Sequence, residues 1–278
     1  MRTKLSPRFW LALVLFSLVG QVAWVVENMY FNVFLYNTIS TDPRYIAAMV
    51  AASAAAATVT TLVMGLVSDR LGNRRSFIAL GYILWGLSVM AFGLLARPDR
   101  LARFQALYAQ GVLVGPILVV ILDCVMTFFG STANDAAFNA YVTDVTDSSN
   151  RGRAESVLAI LPLVSMLIIF GLFDGLTQQG KWREFFGIFG AAVSAVGLIA
   201  VFLIPRESAR EASGAGYFRN LLYGLRPEVW RQNTELYLSF AAFCLFSVAV
   251  QVFFPFLIIY LQNYLGITDY ALVLGVVL

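Results

Sequence analysis

The stretch Gly65-Leu-Val-Ser-Asp-Arg-Leu-Gly-Asn-Arg-Arg75 carries four side-chain charges between two long apolar segments. A charged side chain at the centre of a spanning helix costs about 2.5–3.5 kcal/mol, so this stretch belongs at a water-facing junction between two membrane helices. Gly72 can supply a left-handed turn that other residues resist, and Gly65 would permit close helix approach. Asp69 can accept hydrogen bonds from a helix N-terminus and pair with a nearby arginine.

The composition indicates an integral membrane protein. Of the 278 residues, 60% are hydrophobic and 13% are charged, with a mean hydropathy of +0.78. A soluble domain carries roughly 25% charged residues. The net charge of +3 is explained by the basic residues of one membrane face. We therefore expect the lipid bilayer as a partner and no nucleic acid.

Seven apolar runs are long enough to cross a bilayer, which takes about 20 residues per helix. An eighth begins near Ala271 and has eight residues before Leu278, which as a helix rise about 12 Å against a core of about 30 Å. We therefore expect a truncated chain. The predicted spans, numbered 1 to 7, are Phe9–Leu35, Tyr45–Val67, Phe77–Ala96, Val112–Tyr141, Ser156–Leu176, Phe185–Ile204 and Leu236–Leu261.

Three regions are predicted: a six-helix bundle over 1–204, a cytoplasmic linker over 205–235, and the start of a second bundle over 236–278. Within the linker, Tyr217–Trp230 has the pattern of an interfacial amphipathic helix. Most of the 19 lysines and arginines lie on one side of the predicted membrane. The positive-inside rule then places the N-terminus in the cytoplasm of a multi-pass protein of the cytoplasmic (plasma) membrane.

The charged loop resembles the signature loop of the major facilitator superfamily: a Gly, an Asp four residues on, a Gly three further, then basic residues. A second resemblance follows span 4, in Asn139-Ala-Tyr-Val-Thr-Asp144 and the Arg-Gly-Arg of 151–153. The resemblance implies an all-α helix bundle with about seven complete transmembrane helices and a partial eighth, from a twelve-helix fold. The positions at the cytoplasmic gate are Gly65, Asp69, Arg70, Gly72, Arg74, Arg75, Asp144, Arg151 and Arg153.

In the family, the matching Asp and basic residues form a cytoplasmic latch against a helix of the second half, which favours the outward-open state. The alternative is an ordinary solvated loop that merely obeys the positive-inside rule. After span 4, we expect Asp144 to pair with Arg151 and so brace span 4 against span 5.

Polar residues inside the spans are the candidates for solute binding or ion coupling, because each is expensive in hydrocarbon. On span 1, Gln21, Asn28 and Asn32 fall on one stripe, and Glu27 lies about 100° around the helix from Asn28. Glu27 can bind a coupling proton or cation, or a solute. The alternative is an acidic residue in a wet outer vestibule, or one paired with an arginine for packing.

Span 4 carries Asp123 near mid-membrane and Thr127 one turn later. Asp123 is the second candidate for coupling or binding. Asn134, Asp135 and Asn139 approach the cytoplasm, where bracing of the inner gate is favoured over transport. On span 7, Gln251 and Pro255 stand near a predicted helix break.

These residues favour a secondary active transporter that moves a small organic solute by alternating access, coupled to H⁺ or Na⁺. The alternatives are a non-transporting sensor or scaffold on the same fold, or an inactive fragment. A membrane enzyme is disfavoured because no catalytic constellation is present. The chain has no histidine, and we expect neither a metal nor a cofactor.

Overall fold

The computed structural model describes residues 5–205 and 226–267. Within these ranges, seven helices are long and apolar enough to cross a membrane, which confirms the predicted all-α fold class. The ends of these helices lie within a few residues of the predicted ends, so each helix has the number of the predicted span that it matches. Spans 1 to 7 are Pro7–Thr38, Pro43–Leu71, Arg74–Leu95, Val114–Val145, Arg151–Leu172, Trp182–Leu203 and Thr234–Tyr264.

Short polar caps set the ends of the first three spans. Ser6 and Asp42 accept hydrogen bonds from the first turns of spans 1 and 2, and a proline follows each of them. Asn73 caps span 3 in the same way, accepting from the Ser76 amide. Between spans 2 and 3, Gly72 takes a left-handed conformation with φ of 58°, as predicted.

Among the described residues, three short helices lie outside the spans: Pro98–Ala109, Asp174–Gln178 and Pro227–Gln232. The first follows span 3. It is held by a hydrogen bond from the Gln105 side chain to the Thr38 carbonyl, 2.8 Å long. Most of the predicted linker and the eighth segment from Ala271 lie outside the described residues.

Within the spans as the structure describes them, four turns depart from α-helical geometry. Val26–Phe31 in span 1, Ser131–Phe138 in span 4 and Tyr260–Tyr264 in span 7 are π-helical. Span 7 also has a 3₁₀ turn at Phe254–Phe256, which is the break predicted at Pro255. Single π turns are frequent at functional sites, and no sequence pattern indicated them here.

Aromatic rings fill the core where spans 1, 3 and 6 meet. Phe31 of span 1 stacks on Phe92 of span 3, with ring centroids 3.8 Å apart. Phe186 of span 6 lies edge-on to Phe31 and Phe34, at 5.4 and 5.3 Å. All four rings are fully buried, so this half of the bundle is rigidly packed.

Glycines allow spans 3 and 6 to approach each other backbone to backbone. A Cβ added at Gly190 would lie 2.5 Å from the Gly86 carbonyl oxygen and 2.8 Å from the Met90 amide nitrogen. A Cβ at Gly197 would lie 2.6 Å from the Ile83 amide nitrogen. Small residues permit this kind of close packing in membranes.

We predict that Gly190→Ala destabilises the protein by about 1–3 kcal/mol, because the methyl group overpacks a backbone-to-backbone contact. The matched control is Gly187→Ala on the same helix, where a Cβ meets no described atom within 4 Å. The control should be neutral or slightly stabilising, since alanine favours a helix over glycine. Equal thermal unfolding midpoints of the two variants in detergent would show that spans 3 and 6 do not make this backbone-to-backbone contact.

Candidate functional site

Glu27 lies in the π-helical turn of span 1 and is 7% exposed. The Thr127 hydroxyl of span 4 donates to its Oε1 atom, 2.8 Å away. Its Oε2 atom has no hydrogen-bond partner among the described residues. In the part of the chain that the structure describes, Glu27 is therefore buried and pairs with no arginine.

Asp123 lies one helical turn before Thr127 on span 4 and is 1% exposed. The Ser53 hydroxyl of span 2 lies near its carboxyl group and donates to the Val50 carbonyl of its own helix at 3.3 Å, while the Oδ1 atom finds no partner in the described part of the chain. Glu27 and Asp123 are within electrostatic range of each other. Spans 1, 2 and 4 thus build one buried site with two carboxyl and two hydroxyl groups.

No described basic side chain balances the charge of this site. The ion pairs within residues 5–205 and 226–267 join Arg74 to Asp69 and Asp144, and Arg97 to Asp99. All of them lie at span ends or in loops. The same ranges contain no group of three or more His, Cys, Asp or Glu residues placed to hold a metal ion.

The predicted amide stripe on span 1 is not joined to Glu27 by hydrogen bonds among the described residues. The Asn28 side chain donates to the Trp24 carbonyl at 2.8 Å, and Asn32 donates to the Asn28 carbonyl at 2.6 Å. Gln21 is half-buried. Because the π turn lies between Gln21 and Asn32, their angular spacing differs from that of a regular α-helix.

Gln251 lies apart from the Glu27 site. With Pro255 and Phe256 of span 7, it lines a cleft of about 640 Å³ against Ala47 and Ala51 of span 2. The lining is mostly apolar. The cleft separates the two spans, and no residue of the Glu27 site lines it.

Span 7 touches span 1 through an amide cluster that the sequence did not indicate. The Asn37 side chain donates to Gln262 at 3.3 Å and accepts from Asn263 at 3.1 Å. These residues lie at the end of the bundle opposite the charged loop.

Arg74 is the centre of the charged loop. It forms ion pairs with Asp69 at 2.9 Å and with Asp144 at 2.6 Å, and its side chain is 11% exposed. The pairing of Asp69 with a nearby arginine is as predicted. Through Asp144, the same arginine ties the loop between spans 2 and 3 to the end of span 4.

Two expectations for this region are corrected. Asp144 pairs with Arg74, whereas the Arg151 guanidinium donates to the Thr143 carbonyl at 2.9 Å and to the Thr146 hydroxyl at 3.2 Å. Arg151 begins the helix after the loop, and its guanidinium fits the free carbonyls at the end of span 4. A Cβ at Gly65 would meet no described atom within 4 Å, so none of the described helices approaches closely there.

The remaining basic residues of the predicted gate make no ion pair within the described residues. Arg70 and Arg153 are exposed, and Arg75 is half-buried. The latch against the second half stays a prediction, because the described residues include only span 7 of that half.

Sequence reasoning missed several polar contacts deeper in the bundle. The Tyr82 hydroxyl of span 3 lies 2.8 Å from the Phe16 carbonyl and 2.9 Å from Asn134 Oδ1. Ser131 donates to Asp135 at 3.0 Å. Tyr82 is a predominantly apolar side chain with one polar tip, so only the folded structure reveals its partners.

At the opposite end of the bundle, Asp174 is another buried acidic residue that the sequence analysis did not single out. Tyr30 of span 1 donates to it at 2.9 Å and Gln178 at 2.6 Å. This network joins span 1 to the connection between spans 5 and 6, which is a structural role.

Comparison with known proteins identifies the family. The family model described as Major Facilitator Superfamily matches residues 7–278. No curated protein and no solved structure matches the chain significantly. The family match covers nearly the whole chain and agrees with the seven spans and the charged loop. The chain therefore belongs to the Major Facilitator Superfamily of membrane transporters and is a multi-pass integral membrane protein.

Proposed function

We propose that the protein is a secondary active transporter in which Glu27 and Asp123 bind the coupling proton or cation. It would move a small organic solute across the cytoplasmic membrane by alternating access, with its N-terminus in the cytoplasm. The observation that carries the proposal is the pair of buried carboxyl groups, each with an oxygen atom that lacks a partner among the described residues.

The charge of this pair explains why it would bind an ion. Two carboxylates in a low-dielectric site repel each other, and an uncompensated buried charge costs several kcal/mol. A proton or a monovalent cation held between them would offset that repulsion. The hydroxyl oxygens of Ser53 and Thr127 add the hard ligands that a cation such as Na⁺ prefers.

The π-helical turns offer a way to connect ion binding to movement. Glu27 lies in such a turn on span 1, and the π turn of span 4 begins four residues after Thr127. Conversion of a π turn to an α-helical turn would rotate the residues beyond it and re-aim Glu27. Ion binding that favours one of the two forms would then shift the balance between conformations.

The solute would bind between the two halves of the transporter near mid-membrane, as in other secondary transporters. We propose Gln21, Asn28, Asn32, Thr127 and Gln251 as its polar contacts, since they are the remaining amides and hydroxyl of the predicted site. Asn32 is buried and its Oδ1 atom has no described partner, so it is the amide best placed to gain a contact.

We predict that Glu27→Gln or Asp123→Asn slows ion-coupled uptake by roughly tenfold or more, because the coupling ion loses a charged ligand. The protein is reconstituted in vesicles with a trapped pH-sensitive dye, and a panel of sugars, amino acids and organic acids is added with and without Na⁺. A solute-dependent pH change, or solute uptake that requires Na⁺, reports coupling.

The matched control is Glu228→Gln, which neutralises an exposed acidic residue of the helix Pro227–Gln232 and should leave coupling unchanged. Normal coupling in both site variants would contradict the assignment of Glu27 and Asp123. Wild-type protein that binds a solute of the panel but moves none would favour the sensor or scaffold alternative.

A second prediction concerns the charged loop, which we propose acts as a gate. Arg74→Gln should lower the free energy of unfolding by about 1–2 kcal/mol, because it removes both ion pairs of Arg74. This loss is smaller than that for a fully buried pair, because the Asp69 side chain is 39% exposed and solvent screens its charge. Arg74→Gln should also open the loop, so that a cysteine introduced as Ser68→Cys, at a fully buried position, reacts faster with a water-soluble thiol reagent.

The experiment uses protein in which Cys124 and Cys244 have been replaced by serine. Arg75→Gln, which removes a neighbouring charge without a described ion pair, is the control and should leave the labelling rate at Ser68→Cys unchanged. Equal labelling rates in the Arg74 and Arg75 variants would show that the Arg74 pairs do not hold the loop closed.

A further inference from the structure

Polar residues recur at every fourth position along span 4, beginning at the coupling site. The series consists of Asp123, Thr127, Ser131 and Asp135. Two hydroxyl groups thus lie between two carboxyl groups. The first three residues are almost completely buried, Asp135 is half-buried, and Asn139 one further step along is exposed. The series therefore leads from the buried site towards the end of the bundle that carries the charged loop.

The π-helical turn keeps these residues in line. In an α-helix, with 3.6 residues per turn, a four-residue step over-rotates and the series would drift around the helix. In the π turn Ser131–Phe138, each turn contains more residues than an α-helical turn. A step of four residues there is less than one full turn, which offsets the over-rotation of the α-helical steps before it. An α-helical projection of the sequence instead places Asp135 on a face beside that of Asp123 and Thr127.

Two hydrogen bonds link residues of this series to a carboxyl group. The Thr127 hydroxyl donates to Glu27 Oε1 at 2.8 Å, and the Ser131 hydroxyl donates to Asp135 Oδ2 at 3.0 Å. Thr127 and Ser131 are neighbours one helical turn apart. One water molecule bridging that turn would complete a continuous chain from Asp135 to Glu27.

From this alignment we propose that Asp135 exchanges protons between the loop side of the membrane and the Glu27–Asp123 site, through Ser131 and Thr127. The proposal rests on the proposed function and assigns the proton as the coupling ion. When Asp135 takes up a proton from the loop side, its own O–H group donates to the Ser131 oxygen, and the Ser131 hydroxyl, no longer donating to Asp135, turns to the bridging water. Asp135 then gives its proton to the Ser131 oxygen as the Ser131 proton passes to the water. The water passes a proton to Thr127, whose own proton joins Glu27. One proton moves in all, and Asp135 becomes a carboxylate.

The surroundings of Asp135 suit this role. Asn134 donates to its Oδ1 atom at 3.2 Å, which orients the carboxyl group. The titratable groups of the neighbouring spans within electrostatic range are Glu27 of span 1 and Tyr82 of span 3. Span 2 carries no titratable residue between Tyr45 and Asp69.

Time-resolved infrared spectroscopy tests the proposal without a known solute. Reconstituted protein receives a rapid acid step, and the carboxylic C=O band of the site, identified by its loss in Glu27→Gln and Asp123→Asn, is followed in time. We predict that Asp135→Asn and Ser131→Ala slow the rise of this band by roughly tenfold or more, with its final amplitude retained. These variants remove a proton carrier but not the charged site.

Matched variants separate proton transfer from packing. Thr132→Val alters the neighbouring residue, whose hydroxyl bonds the Phe128 carbonyl of its own helix at 2.7 Å, and should leave the rate unchanged. Ser131→Thr retains a hydroxyl and should restore most of the rate. A wild-type rate in Asp135→Asn and Ser131→Ala would overturn this inference alone. Absence of the band from the wild-type protein would overturn proton coupling at Glu27 and Asp123 as well.

Discussion

A charge buried in a bilayer is costly unless it is paired, hydrogen-bonded or neutralised by an ion, and the buried acidic residues of this bundle meet that cost in different ways. Arg74 offsets it at the membrane surface by pairing with Asp69 and Asp144. Neutral donors from Tyr30 and Gln178 offset it for Asp174. Glu27 and Asp123 differ: each is buried with an oxygen atom that no described residue contacts. Under the function proposed above, an ion that binds at this site would offset that cost.

The bundle has a tightly packed part, where spans 3 and 6 meet, and a part with irregular helical geometry in spans 1 and 4. Spans 3 and 6 meet backbone to backbone at Gly86 and Gly190, and aromatic rings from span 1 fill the adjoining core. By contrast, span 1 contains a π-helical turn at Glu27, and span 4 contains one that begins eight residues after Asp123. Transport by alternating access needs both properties: a firm frame, and helices that have two arrangements of similar free energy.

Much of this could be predicted from the sequence, because the cost of charge in hydrocarbon acts locally. Apolar length predicted the seven spans, the glycine at position 72 predicted the turn, and isolated carboxylates pointed to Glu27 and Asp123. The rest depends on geometry that periodicity does not contain. The π turn of span 4 brings Ser131 and Asp135 into line, Ser53 reaches the site from another helix, and Asp144 finds Arg74 across the bundle.

The most direct test of the central claim is to map which carboxyl groups react with a hydrophobic carbodiimide, a reagent that adds to carboxylic acids in apolar surroundings. The reconstituted protein is labelled, digested and analysed by mass spectrometry. Our account predicts that the reagent labels Glu27 or Asp123. It also predicts that labelling becomes slower or is lost when the occupancy of the site by its coupling ion is changed, either by raising the pH or by adding Na⁺. If neither residue is labelled under any of these conditions, or if the label is insensitive to pH and to Na⁺, Glu27 and Asp123 do not form the ion-binding site.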